Sequence, residues 1–227
     1  MFTMAKVLRF IGIALMALTS LFTILGGAGT TCVALAAENY DSMVAIVPYK
    51  WLYVIFVITT IAAGVMMARA TFMLVKREQK AYRATIISLV AGILVGLIHM
   101  VVSRNLRGSS MPVDAVVYTA VVTLIIFLLF RIPGVWAKVD FSKAPKGDNE
   151  TAGGAAAIIS GFLAFTIQYW MASTHTMNGG INYGDAFHTS MTIRGCIFVI
   201  GGISLIVMSQ KAIKRSTSML VKELIIS

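Results

Sequence analysis

Six long apolar runs decide what this chain can fold into. They are roughly Leu8–Ala37, Trp51–Val75, Ala84–Ser103, Ala115–Val135, Gly154–Ser173 and Thr192–Ser209. At 1.5 Å per helical residue, each run is long enough to cross about 30 Å of hydrocarbon. Because lipid offers no partner for bare backbone groups, a spanning run has to be helical. The sequence therefore predicts an all-α, polytopic transmembrane bundle of about six spans, forming a single domain over residues 1–227.

Composition agrees with a membrane protein and argues against a nucleic-acid binder. The chain is 58% hydrophobic and 12% charged, whereas a soluble domain carries about 25% charged residues. The net charge of +10 comes from basic residues at the ends of the apolar runs, where they orient a protein in an anionic membrane. We expect the lipid bilayer as a partner and no nucleic acid.

The distribution of basic residues predicts the orientation of the spans. Of the 19 Lys and Arg residues, Arg69 and Arg131 lie several residues inside apolar runs and are not assigned to a side, whereas the others lie in loops or at the ends of runs. With a cytoplasmic amino terminus, thirteen fall on the inner side: Lys6, Arg9, Lys76, Arg77, Lys80, Arg83, Lys138, Lys143, Lys146, Lys211, Lys214, Arg215 and Lys222. Four fall outside: Lys50, Arg104, Arg107 and Arg194. Since cytoplasmic loops are enriched in Lys and Arg, this bias predicts a multi-pass plasma-membrane protein with both termini in the cytoplasm.

The first run has a second interpretation. A basic start, an apolar stretch and the small-residue sequence Ala34-Leu35-Ala36 are also typical of a cleaved signal peptide. The apolar stretch is longer than a usual signal-peptide core, which favours a retained span.

A weak repeat suggests three helical hairpins. Asp41, Asp114 and Asp185 each precede an apolar run and lie 73 and 71 residues apart. Triplicated hairpins would resemble the internal repeats of some transport proteins. Equal loop lengths, with aspartate favoured at helix starts, explain the same spacing without repetition.

The three histidines define the candidate binding site, and all are predicted near the outer surface. His175 and His188, with Asp185, have the side chains to ligate Zn²⁺ or Cu²⁺, and His99 can complete the set. Alternatively, His99 and His175 are axial ligands of a b-type haem. Neither HxH nor HExxH spacing occurs, so a hydrated loop between two spans is the simpler interpretation of the His175–His188 segment.

Two further patterns concern packing and the carboxyl-terminal tail. Gly92 and Gly96, and Ala157 and Gly161, have the small-xxx-small spacing that lets membrane helices approach closely. Residues 211–227 are basic and then amphipathic, which predicts a helix lying on the inner membrane surface or docking on a partner.

The function that these features favour is non-catalytic. No set of nucleophile, base and orienting group can be assembled, and no carboxylate falls in the middle of a span, where ion-coupled pumps usually need one. The preferred interpretation is a structural or accessory subunit, associated with other membrane subunits or with itself. The alternatives are a small-molecule transporter built from three hairpins, and a redox subunit that binds haem, quinone or metal near the outer surface.

Overall fold

A computed structural model describes residues 4–145, 147–171 and 188–226 of the chain, and every regular element in those ranges is helical. The α-helices are α1 (Met4–Ala36), α2 (Lys50–Val75), α3 (Ala81–Arg107), α4 (Val113–Phe130), α5 (Pro133–Val139), α6 (Asp148–Met171) and α7 (His188–Ile226). Short 3-10 helices occupy Ala37–Asn39, Asp41–Tyr49 and Phe141–Lys143.

Within the described residues, six helical segments are long and apolar enough to cross a membrane, which confirms the predicted number. They cover Met4–Asn39, Asp41–Val75, Ala81–Arg107, Val113–Phe130, Asp148–Ile167 and His188–Lys211. The architecture is compatible with a multi-pass integral membrane protein.

The end of the fourth predicted span is wrong. We expected a continuous helix to Val135, but α4 ends at Phe130 and Pro133 begins the separate helix α5. Ile132 has an extended ψ of 128°, because a residue before proline is pushed out of the helical region. Proline is suited to the first helical position, where its missing N–H has no partner to lose.

The bundle core lies around α1, which packs on α2, α4 and α6. α3 packs on α2 and α4. Close approach at the centre depends on Gly12, where an added methyl group would come within 2.9 Å of the Phe130 ring. Phe130 and Phe141 belong to the main buried cluster together with Phe127.

Glycines also set the contacts of α6 with α7 and of α3 with its neighbours. A methyl group at Gly161 would lie 2.8 Å from the carbonyl oxygen of Gly195, and the backbones of Gly154 and Gly202 meet in the same way. In α3, Gly92 faces Met67 and Gly96 faces Val117. The small-residue positions predicted in α3, and Gly161 in α6, therefore lie at helix contacts; the partner of Gly161 is α7.

Different helix termini meet at the two ends of the bundle. At one, called here the N-terminal end, the starts of α1 and α6 contact each other and α6 contacts the end of α2. At the other, the far end, the end of α3 contacts the starts of α2 and α4.

Candidate functional site

The candidate site at the far end is built around His99 of α3. Its side chain is buried, with 3% of the residue exposed. The imidazole stacks on the ring of Phe56, with centroids 4.4 Å apart and planes at 15°. The ring of Tyr53 meets it edge-on at 5.4 Å. Two aromatic residues of α2 thus fix the orientation of the imidazole plane.

A buried hydroxyl pair lies one helical turn beyond His99. The Tyr53 hydroxyl and the Ser103 Oγ are 2.8 Å apart. Both residues are nearly fully buried, with 2% and 1% exposed. Because a buried hydroxyl without a partner is costly, this bond fixes the register of α2 against α3.

Toward the protein interior, His99 lines a small cavity of about 20 Å³. Four helices contribute to its wall: Thr23, Gly26 and Thr30 from α1, Thr60 and Ala63 from α2, Gly92 and Gly96 from α3, and Val113 and Val116 from α4. The lining combines three hydroxyl groups and one imidazole with apolar surface. Such a lining can exchange hydrogen bonds but provides no negative charge.

An ion pair joins the end of α3 to the start of α4 at the far end of the bundle. Arg104 at the end of α3 donates to the Asp114 carboxylate at 3.0 Å and to the Ser110 hydroxyl at 2.9 Å. Ser110 in turn donates a short hydrogen bond to Asp114. Asp114 is thus held by a side-chain network, and it does not form a side-chain cap for α4.

The described residues place the predicted ligands as follows. His99 is buried between α2 and α3, and His188 is exposed at the first position of α7. His175 and Asp185 lie outside the described residues. Within the described ranges there is no group of three or more His, Cys, Asp and Glu residues that can hold a metal. The metal set and the His99–His175 haem pair therefore remain predictions.

A second polar cluster at the N-terminal end was not anticipated from the sequence. Arg9 of α1 is 6% exposed. Its guanidinium donates to Asp148 of α6 at 3.1 Å and to the carbonyl of Lys138 at 3.0 Å. Lys6 also pairs with Asp148, at 3.2 Å. These contacts join the start of α1 to the start of α6 and to α5.

Next to this ion pair, Asn149 and Arg77 connect α6 to the end of α2. The fully buried Asn149 amide donates to the carbonyls of Leu74 at 2.8 Å and Phe141 at 3.1 Å. Arg77 lies beyond the end of α2 with a φ of +62° and pairs with Glu150 at 3.6 Å. Its left-handed conformation allows Glu78 N–H to reach the Met73 carbonyl, which closes the helix end as a glycine usually does.

One sequence signal could have located this cluster. Asp148-Asn149-Glu150 directly precedes the Gly- and Ala-rich apolar run, and acidic residues favour the first turn of a helix. Glu150 accepts a hydrogen bond from the Gly147 N–H at 2.9 Å, in the manner of a capping box. The fifth apolar run was predicted to begin at Gly154, whereas the helix begins at Asp148 and these residues form its first turn.

The polar clusters at the two ends of the bundle differ in chemical character. The cluster at the N-terminal end consists of charged side chains paired with each other across α1, α6 and the end of α2, which suits a structural role. The far end holds an imidazole and hydroxyl groups around a cavity. Comparison of the chain with family models, curated proteins and solved structures finds no match.

Proposed function

We propose that the protein is a non-catalytic, integral plasma-membrane subunit that acts as a scaffold within a larger membrane assembly. The observation that carries this proposal is the exposure of α7. In the apolar part of α7, 11% of the residues are buried inside the protein, against 44% in α1. A helix that one chain covers so little offers surface to other membrane proteins.

The length of α7 supports the same role. Its 39 residues amount to about 58 Å of helix, while the hydrocarbon core is about 30 Å thick. The helix continues through residue 226, well past the apolar segment that ends at Lys211. The interfacial tail predicted over residues 211–227 belongs to this extension, and in the proposed assembly it docks on the membrane surface or on a partner.

The proposed orientation has the N-terminal end in the cytoplasm. Its support is the charge bias in the sequence, with thirteen basic residues assigned inside and four outside. In the proposed arrangement the spans form three hairpins, α1–α2, α3–α4 and α6–α7. Each of these pairs is in contact.

A transporter of three hairpins is the second candidate, and the cavity beside His99 favours it. Transporters bind small polar solutes in polar space between the helices of a bundle. Uptake of such a solute by liposomes that contain the purified chain would establish this function. The redox alternative predicts that the purified protein has a haem absorption band and that this band disappears in His99→Ala.

The scaffold role is tested by extracting the protein from native membranes in mild detergent and measuring the assembly by native mass spectrometry. The chain has a mass of 24.5 kDa. We expect particles of larger mass, with a second polypeptide at fixed stoichiometry. A 24.5-kDa particle would contradict the proposal, and exact multiples of that mass would identify self-association instead.

Matched variants then ask whether α7 forms the contact. Ile197 and Ile200 of α7 are 63% and 65% exposed, and Ile58 of α2 is 62% exposed. The Ile197→Trp/Ile200→Trp double variant should dissociate the second polypeptide, while Ile58→Trp should retain it. If the second polypeptide stays bound in both variants, α7 is excluded as the docking helix.

A further inference from the structure

The buried imidazole of His99 has no hydrogen-bonding partner from the protein in the part of the chain that the structure describes. Its interactions there are the ring contacts with Tyr53 and Phe56. Neutral imidazole has one N–H donor and one acceptor nitrogen, both in the plane of the ring. Buried polar groups in proteins are almost always satisfied, by protein atoms or by ordered water.

The cavity that His99 lines has the right size for such a partner. A volume of about 20 Å³ accommodates one water molecule, which requires at least about 10–15 Å³ and two to four polar neighbours. The hydroxyl groups of the lining provide those neighbours.

The helix register indicates which hydroxyl group of α1 lies near His99. Gly26 of α1 and Gly96 of α3 contact α4 at adjacent residues, Val116 and Val117. α1 and α3 both run toward the far end, so Thr30 and His99, which follow these glycines by about one turn, lie at similar depth. Thr23 precedes Gly26 by about one turn, toward the N-terminal end.

The second hydroxyl group comes from α2. A methyl group at Gly27 would lie 3.4 Å from the Cβ of Thr60, so Thr60 is close to the same level of α1. The Thr30 hydroxyl already donates to the Gly26 carbonyl at 2.8 Å. Its oxygen therefore still has acceptor lone pairs for a further hydrogen bond.

We propose that the cavity binds one water molecule that links the His99 imidazole to the hydroxyl groups of Thr30 and Thr60. The water donates one hydrogen to the Thr30 oxygen, exchanges a second hydrogen bond with His99, and meets the Thr60 hydroxyl with a third. It joins α1, α2 and α3 at one point inside the membrane-spanning region.

Charge argues for water over a cation of similar size. None of the described residues that line the cavity is acidic. A cation placed there would lack a counter-charge in a low-dielectric environment, which is strongly unfavourable. Water satisfies the same hydroxyl and imidazole groups without that cost.

Solid-state NMR of the full-length protein in lipid nanodiscs tests the proposal. His175→Gln and His188→Gln leave His99 as the single ¹⁵N-labelled imidazole, and magnetisation transfer from water to that imidazole is measured. We expect transfer in this background. In Thr30→Val/Thr60→Val it should fall by roughly threefold or more, because the water loses two polar partners.

Two controls separate loss of the water from loss of the fold. Thr59→Val removes a hydroxyl group of α2 that donates to the Ile55 carbonyl and does not line the cavity, so this variant should leave the transfer unchanged. Thr30→Ser keeps a hydroxyl group at the position where the double variant has valine. This variant should retain the magnetisation transfer from water to the imidazole. Absence of transfer in the starting protein would overturn the proposal, as would equal transfer in all variants. An imidazole shift that responds to Na⁺ would also overturn it, by identifying a cation.

Discussion

Arg9 in α1 and Asp148 at the start of α6 form an ion pair with a nitrogen–oxygen distance of 3.1 Å across 139 residues of sequence. The Arg9 side chain is 7% exposed and that of Asp148 is 15% exposed. The pair therefore holds the first and fifth spans together with charges that are largely removed from water.

Breaking this pair should be strongly destabilising. Asp148→Asn leaves the buried Arg9 guanidinium without its counter-charge, and removal of one partner of a buried pair costs about 3–5 kcal/mol. The Lys6 side chain, which also contacts Asp148, is 31% exposed, so Lys6→Gln should cost about 1 kcal/mol or less. Reversible unfolding of the purified protein in mixed micelles measures both. Equal losses in the two variants would show that burial of Arg9 does not matter.

The left-handed residue at the end of α2 gives a second prediction. Arg77 adopts a φ of +62°, which glycine tolerates better than any residue with a Cβ. Arg77→Gly and Arg77→Ala both lose the contact with Glu150, but only alanine retains the backbone strain. We expect Arg77→Gly to be more stable than Arg77→Ala by about 1 kcal/mol in the same unfolding assay. Equal stability, or greater stability of the alanine variant, would contradict the assigned helix end.

The contact between α6 and α7 can be tested at two glycines with opposite surroundings. A methyl group at Gly161 would meet Val199 at 2.6 Å and the Gly195 carbonyl at 2.8 Å, whereas one at Gly201 meets no atom of the described residues within 4 Å. Gly161→Ala should lower the melting temperature of the detergent-solubilised protein, because the two helices must move apart. Gly201→Ala should leave it unchanged or raise it, since alanine favours a helix by about 1 kcal/mol over glycine. Effects of the same sign at both positions would contradict this helix pairing.

Asp140 gives the protein a predictable response to acid. Burial alone would raise the pKa of this carboxyl, but hydrogen bonds from Ser142 and the contact with Lys143 outweigh burial and hold the pKa below its ordinary value. Since the folded-state pKa is lower than the unfolded-state value of about 3.9, the carboxylate stabilises the fold above about pH 4. That contribution is lost as pH falls through the folded-state pKa.

Asp140→Asn should therefore lower the melting temperature at about pH 7 and show a smaller further loss on acidification to about pH 3. Ser142→Ala, which removes the hydroxyl that donates to Asp140 at 2.7 Å, should have an intermediate effect. A parent protein and an Asp140→Asn variant with parallel pH profiles would exclude this carboxylate as a source of acid sensitivity.

The sequence was sufficient to predict the long apolar helices found among the described residues, because helix formation in lipid follows from length and hydrophobicity alone. It was less informative about where helices stop. The fourth span was predicted to run to Val135, but the extended conformation of Ile132, which precedes Pro133, moved that end back to Phe130. Arg77 did not indicate a left-handed helix end in the sequence, since glycine or asparagine usually occupies that position.

Side-chain partners were harder still to predict. Nothing in the sequence pairs Arg9 with Asp148 across 139 residues, because such a pair depends on which helices become neighbours. His99 was recognised as a candidate ligand, but its stacking on Phe56 and the threonine-lined cavity beside it required the packing of four helices. The predicted ligands His175 and Asp185 lie outside the described residues, so the metal and haem predictions stand as they were.

Accessibility of two engineered cysteines in intact cells tests the membrane topology most directly. With Cys32 and Cys196 replaced by serine, Gln79→Cys lies between α2 and α3 and Ser109→Cys lies between α3 and α4, both at exposed positions. A membrane-impermeant maleimide should label Ser109→Cys in intact cells and should label Gln79→Cys only after the membrane is permeabilised. Labelling of both positions from the outside would contradict a third helix that crosses the bilayer, and labelling of Gln79→Cys alone would contradict the proposed orientation.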